Sequence, residues 1–186
     1  MDPTPASLLL RLRAPGDASA WRRFVELYTP LLYSWASRLG LKAEDAADLV
    51  QDVLAVLVQR LPSFENDPSR QFRGFLRTVI ENRWRDLMRR RAARPLRTGE
   101  NLDALAAPDG IDLAEEEYRR LVMDRAVRVM QADFEPNTWR AFWAVVVDGR
   151  PPAEVAVELG LSVDGVYQAR SRVLRRLRQE LAGLME

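Results

Sequence analysis

Apolar residues recur every three or four positions along this chain, and no run alternates with period two. That rhythm predicts α-helices throughout. A short helix over Ser7 to Arg13 should stop at Pro15-Gly16. A second, capped by Asp17 or Ser19, carries Trp21, Phe24, Val25, Tyr28, Leu31 and Leu32 on its inner face and ends near Gly40. Pro30 lies inside it. Proline has no amide donor and its ring strikes the preceding turn, so a kink or a division is expected there. From Ala43 to Leu61 the stripe is Ala46, Leu49, Val50, Val53, Leu54, Leu57 and Leu61, closed by Pro62. "PSFENDPSRQ" then reads as a loop. A long helix from Phe72 to Arg91 places Leu76, Val79, Ile80, Trp84, Leu87 and Met88 inward. Trp84 suits stacking chemistry, but its spacing with Ile80 and Met88 favours the core.

The pattern breaks at "ARPLRTGENLDALAAPDGID", where Pro95, Gly99, Pro108 and Gly110 mark a linker. Helices resume over Leu113 to Phe134 and Glu135 to Val147, ending at Asp148-Gly149. The expected fold class is therefore all-α, two helical domains joined by a flexible linker. The boundaries are residues 1–92, a linker over 93–112, and residues 113–186.

The final segment, "PPAEVAVELGLSVDGVYQARSRVLRRLRQEL", has a grammar of its own. Pro151-Pro152 suits a helix start. Ala153 to Leu159 gives barely two turns, Gly160 supplies a left-handed turn, and Ser162 can cap a helix from Val163 to about Leu184. Short helix, glycine turn, serine cap and basic second helix together predict a helix-turn-helix. Its second helix would enter a major groove with Tyr167, Gln168, Arg170, Ser171 and Arg172 near base edges. Arg175, Arg176 and Arg178 are placed for phosphates. The competing view is an ordinary helical hairpin with a solvated arginine face.

Composition narrows the chemistry. The 186 residues are 47% hydrophobic and 30% charged, with neither cysteine nor histidine. Disulfides, thiolate or imidazole metal sites, thiol nucleophiles and histidine triads are therefore absent. No apolar run reaches the length of a membrane span, and "MDPTPASLLLRLR" does not resemble a signal peptide, which points to a cytoplasmic protein without membrane insertion. Net charge is only +1, but it is segregated. Arginines gather at Arg83–Arg97 and Arg170–Arg178, acids at 44–52 and 112–117. Segregated blocks on a near-neutral chain suggest separate partner surfaces. "EDAADLVQDVL" puts Glu44, Asp45, Asp48 and Asp52 within a little over two helical turns. Such acids can hold metal ions, dock a basic partner, or keep a helix soluble. By helical phase Asp45, Asp48 and Asp52 face away from Leu49, Val50, Val53 and Leu57.

Four segments, in order, resemble the small two-domain class of bacterial extracytoplasmic-function sigma factors. "WRRFVELYTPLLYSWASRLG" looks like the start of their region 2, and "DAADLVQDVLAVLVQRLPSF" like the helix that docks on RNA polymerase. "FRGFLRTVIENRWRDLMRRR" is similar to the segment that melts and reads the −10 element. "GLSVDGVYQARSRVLRRLRQEL" is similar to region 4, which reads the −35 element. The resemblance implies a non-enzymatic specificity subunit with no cofactor, metal or catalytic residue. Its partners would be core RNA polymerase (the β′ clamp and the β flap), promoter DNA and an anti-sigma factor. Carried over by position, Asp45, Asp48, Gln51 and Asp52 would meet core polymerase. Phe64, Asn66, Asp67, Ser69, Arg70, Phe72, Arg77, Asn82, Arg83 and Arg85 would serve the −10 element. Ser162, Tyr167, Gln168, Arg170, Ser171, Arg172, Arg175 and Arg176 would serve the −35 element. Asp164 and Gly165 in the first turn of the second helix, with Tyr167 and Ala169, depart from the family pattern. A stand-alone helix-turn-helix regulator accounts for residues 150–186 but leaves "DLVQD" and "NRWRDLMRRR" unexplained. A metal-dependent nuclease would need carboxylates converging on ions about 4 Å apart.

Overall fold

The computed structural model describes residues 7–14, 16–64, 72–93 and 115–185. These form eight α-helices and no strand: α1 (Leu8–Arg13), α2 (Ala18–Arg38), α3 (Ala43–Arg60), α4 (Phe72–Ala92), α5 (Glu115–Met130), α6 (Pro136–Val146), α7 (Pro152–Leu159) and α8 (Val163–Leu181). Short 3₁₀ turns, Leu61–Ser63 and Gln131–Asp133, follow α3 and α5. The all-α expectation holds, with helix ends within four residues of those read from the pattern.

Caps explain several boundaries. Of the two candidates before α2, Asp17 is the cap: its carboxylate accepts from the Ala20 amide at 2.9 Å. Ser19 supports it, donating to the same oxygen at 2.7 Å. The Arg11 guanidinium, 3.0 Å away, joins α1 to this corner and, with Ser19 and the Ala20 amide, holds the Asp17 carboxyl well below the usual carboxylate range. Glu135 caps α6, and the amides of Asn137 and Thr138 lower its carboxyl in turn.

Of the two outcomes expected at Pro30, division does not occur. Helix α2 runs unbroken from Ala18 to Arg38 with Pro30 inside. A proline at this position has no N–H to donate to the Glu26 carbonyl, four residues earlier. Arg125 of α5 donates to that carbonyl at 2.8 Å. The acceptor orphaned by proline is thus satisfied by another helix, which lets α2 pass through Pro30 without dividing.

Helix α2 is the axis of the main core. Phe24, Leu27, Tyr28, Leu32 and Trp35 are buried along it, packed by α3, α4 and α5. Phe24 stacks on Tyr28 with centroids 4.6 Å apart, and Phe72 meets Tyr28 edge-on at 5.6 Å. Trp84 lies in this core, as its spacing favoured. The same core takes in Tyr118, Val122, Ala126 and Met130 of α5, Trp139 and Phe142 of α6, and Val173, Leu177 and Leu181 of α8. A second, smaller core of Ala141, Ala144, Val155, Ala156, Val166 and Ala169 holds α6, α7 and the first half of α8 together. Four of its six residues are alanines, so the three helices approach closely. Helix α8 therefore has two jobs: its N-terminal half completes a helix-turn-helix, and its C-terminal half packs into the main core.

Candidate functional site

Three polar surfaces stand out from this frame. The first is the outer face of α3. Glu44 and Asp45 sit in its first turn, where the helix dipole favours negative charge. Asp48, Gln51 and Asp52 are exposed or nearly so; Asp45 is half-buried. The acids are not equivalent. Asp45 pairs with Arg91, and Asp52 lies 3.6 Å from Arg90. Asp48 has no ion pair among the described residues. Between α3 and α4 runs an open groove of about 600 Å³ lined by Asp52, Gln59, Arg83, Asp86, Arg89 and Arg90. The acids are strung along one helix, and among the described residues no three metal-ligating side chains cluster.

The second surface is the exposed side of α4. Four of its arginines meet acids on the same helix. Arg77 donates to Glu81 at 2.8 Å, and Arg85 reaches Glu81 at 3.6 Å and Asn82 Oδ1 at 3.4 Å. Arg83 lies 3.5 Å from Asp86, which also pairs with Arg89. Those guanidiniums, Arg89 first, lower the Asp86 carboxyl. Asn82 and Arg85 are exposed and Arg83 is half-buried. Two residues expected at the −10 element turn inward instead. Phe72 is fully buried, boxed in by Phe24, Tyr28, Phe64 and Phe75. Phe64 is 8% exposed and packs on Phe75 at 4.7 Å. Neither ring is open to a base in this arrangement; apolar burial outweighs the stacking role expected for them. Asn66, Asp67, Ser69 and Arg70 lie outside the described residues.

The third surface is the second helix of the helix-turn-helix. Gly160 takes a left-handed conformation (φ 65°, ψ 31°) that costs a glycine nothing, and the Leu161 amide closes the turn onto the Ala156 carbonyl at 2.9 Å. Ser162 caps α8, its Oγ accepting from the Gly165 amide at 3.0 Å. A Cβ at position 165 would sit 3.2 Å from that oxygen. The glycine that departs from the family pattern thus makes room for the cap. Beyond it, Tyr167, Gln168, Ser171, Arg172 and Arg175 line a shallow groove of about 420 Å³. Among the described residues Arg170, Arg172 and Arg175 make no ion pair, unlike the arginines of α4. Arg176 differs from its neighbours. It turns away from them to Glu180, 3.2 Å distant, and its Nη1 is buried.

Two features escape a reading of the sequence. Trp143, Val146, Val147 and Val157 of α6, its end and α7 are exposed apolar residues beside an open pocket of about 360 Å³ whose lining mixes Trp139, Trp143, Val155 and Leu159 with Arg140, Asp148, Arg150 and Glu158. The signal is present: "WRAFWAVVV" is apolar on more sides than one packed face can use. Glu180 is the only charged residue buried among those described. It falls within the arginine-rich run of α8, where nothing in the pattern distinguishes it from a solvated helix charge.

Comparison with known proteins meets this geometry. Residues 24–94, which span most of α2 through α4, match the family model for sigma-70 region 2. The whole chain is 28% identical over 193 aligned residues to the RNA polymerase sigma factor CnrH of Cupriavidus metallidurans, covering 97% of that protein. The match places the first helical core with region 2 of the sigma-70-type transcription initiation factors. That match and the likeness along the full chain together support an extracytoplasmic-function RNA polymerase sigma factor. Among the described residues no helix is long and apolar enough to cross a membrane.

Proposed function

We propose that this sigma factor works through three separate surfaces, divided between a region 2 domain over residues 1–92 and a region 4 domain over residues 113–186. It binds core polymerase, recognises promoter DNA, and leaves catalysis to the polymerase. The outer face of α3 meets the β′ clamp through Asp48, Gln51 and Asp52, with Asp45 at the margin. Of these, Asp48 carries the most weight, since among the described residues no cation has to be displaced from it. The 64–72 loop with Asn82, Arg83 and Arg85 serves the −10 element. A splayed base can be read by loop amides and polar side chains, while guanidiniums hold the strand backbone.

The observation that carries the −35 assignment is the contrast between the two arginine blocks. Helix α4 engages Arg77, Arg83, Arg85 and Arg89 with its own Glu81 and Asp86, and Arg90 and Arg91 with Asp52 and Asp45 of α3. Helix α8 leaves Arg170, Arg172 and Arg175 without an ion pair among the described residues, and Arg172 and Arg175 line a groove that also offers Gln168, Ser171 and Tyr167. Unpaired guanidiniums keep their full attraction for phosphate and guanine edges. The exposed apolar face of Trp143, Val146, Val147 and Val157 lies on other helices of the same domain and suits the β flap. An anti-sigma factor is a further protein partner for this class of chain.

Core binding tests the first surface. Asp48→Arg should lower affinity for core polymerase by at least about tenfold, as close charge pairs at protein interfaces carry ~1.5–7 kcal/mol. The variant should leave helicity unchanged. Unaltered core affinity would remove α3 from the docking surface.

A further inference from the structure

We propose, resting on the −35 role given to α8 above, that Asp164 determines base specificity: from the first turn of α8 its carboxylate accepts a hydrogen bond from a cytosine amino group in the −35 element.

Helix α8 buries one face and offers the other. Val166, Ala169, Val173 and Leu177 are buried. On the opposite side, by helical phase, Gln168, Ser171 and Arg175 lie within about 40° of the direction of Asp164, with Tyr167 and Arg172 at the flanks. All six are exposed. Five of them line the groove of about 420 Å³. Asp164 stands one turn before Gln168, at the N-terminal end of the helix, whose residues contact base edges when a helix-turn-helix docks in a major groove. An acid thus occupies the centre line of the face that meets DNA.

Nothing else in the protein uses this carboxylate. The helix end is already capped, because Ser162 Oγ accepts from the Gly165 amide at 3.0 Å. Among the described residues Asp164 makes no ion pair and no side-chain hydrogen bond. Residues three and four positions on, where a helical ion pair would form, are Tyr167 and Gln168; those before it are Leu161 and Gly160. The helix dipole favours an acid in the first turn, which suits Asp164 to the free protein.

Docked DNA changes its surroundings. Phosphates repel a carboxylate, so Asp164 cannot be a backbone contact as an arginine can. An ionised carboxylate only accepts hydrogen bonds. The donors in the major groove are the amino groups of cytosine and adenine. Adenine sets its N7 acceptor beside that amino group. Guanine presents two acceptors and thymine an acceptor and a methyl group. Cytosine alone offers a donor with no acceptor of its own beside it, so it is the base a carboxylate selects. Gln168 lies about 6 Å further along the helix axis, at about 1.5 Å per residue. At about 3.4 Å per base pair, the cytosine falls within about two pairs of the base that Gln168 meets. The acid lowers affinity for every other sequence. Arg170, Arg172 and Arg175 on the same helix supply phosphate attraction that offsets the loss, so selectivity rises while binding is kept.

The test uses holoenzyme reconstituted from core polymerase and the full chain. A mapped promoter with its −35 element randomised is selected for binding, and the bound pool is sequenced. The parent should enrich cytosine at one position. Asp164→Ala should lower that enrichment by about fivefold or more, since one mismatched pair changes affinity by about 5- to 150-fold, and should leave the other positions unchanged. Asp164→Asn keeps the size of the side chain but offers a donor beside an acceptor, so preference at that position should move from cytosine to adenine. Both variants should retain their helicity, the site being exposed. An Asp164→Ala profile identical to the parent's would overturn the role of Asp164, as would a uniform gain on every sequence from relieved repulsion. A parent holoenzyme with no base preference upstream of the −10 element would overturn the −35 assignment of α8, and Asp164 with it.

Discussion

Removing one hydroxyl from each of two buried tyrosines should have unequal effects, and the inequality follows from counting protons. Tyr118 Oη lies 2.8 Å from the Leu184 carbonyl, which can only accept, so Tyr118 donates there. Its single proton is then committed, and in the 3.2 Å contact with Tyr28 it must accept from the Tyr28 hydroxyl. Tyr28→Phe removes a donor and strands none, since Tyr118 still donates to Leu184. The expected loss is about 1 kcal/mol, the net value of one hydrogen bond. Tyr118→Phe strands two groups at once, the buried Tyr28 hydroxyl and the Leu184 carbonyl. At about 1–3 kcal/mol for each unsatisfied group, moderated by relaxation, it should cost about 2–4 kcal/mol. The double variant no longer contains the stranded Tyr28 hydroxyl, so it should be destabilised by less than the sum, with a coupling of about 1–2 kcal/mol. Urea unfolding followed by far-UV circular dichroism measures all four proteins. A Tyr28→Phe loss equal to that of Tyr118→Phe, or strict additivity, would refute the proton assignment.

The same pair sets an alkaline limit. Burial pushes the Tyr118 phenol up to about 12 and raises Tyr28 well above its ordinary value. A folded pKa above the unfolded value of about 10 means full stability below pH 10 and loss as pH rises from there through 12, roughly 2–3 kcal/mol for Tyr118 alone. Urea midpoints should fall over that window, and less so in the double phenylalanine variant; a midpoint independent of pH would contradict the burial argument. Ser162→Ala removes the cap on the Gly165 amide and should cost about 1 kcal/mol, read as a lower urea midpoint, with weaker binding to a −35 duplex. Arg172→Ala should weaken that duplex binding by about 5- to 150-fold (~1–3 kcal/mol), and if Arg172 contacts phosphate the salt dependence should flatten by about one unit. Unchanged affinity would take Arg172 out of the site.

Most of the fold is legible because it rests on local signals. The period of Leu49, Val53 and Leu57, and of Leu76, Ile80 and Trp84, assigns the helices their inner faces. Gly160 and Ser162 mark the turn and cap by chemistry that needs no tertiary context. What the sequence hides is long-range. Proline chemistry alone predicts a kink or division at Pro30, but Arg125, 95 positions away, takes up the orphaned Glu26 carbonyl. The family resemblance puts Phe72 and Phe64 at a base, yet four neighbouring rings claim Phe72 for the core. Charge alone groups Arg176 with Arg172 and Arg175. Its departure depends on Glu180 being buried, which depends in turn on how α1 and α2 meet α8. The pairing of Asp45 and Asp52 with Arg91 and Arg90 is hidden for the same reason: an acid block and a basic block about forty residues apart give no hint that they touch.

Promoter-dependent transcription is the direct test of the central claim. Promoters mapped after overexpression of the chain would serve as templates for run-off synthesis by purified core polymerase. Adding this protein should start transcripts at a fixed site downstream of the −35 and −10 elements, and changing either element should abolish them. Core polymerase that remains silent on every mapped template, while the protein alone binds the duplex tightly and specifically, would contradict a sigma factor and leave a free-standing DNA-binding regulator.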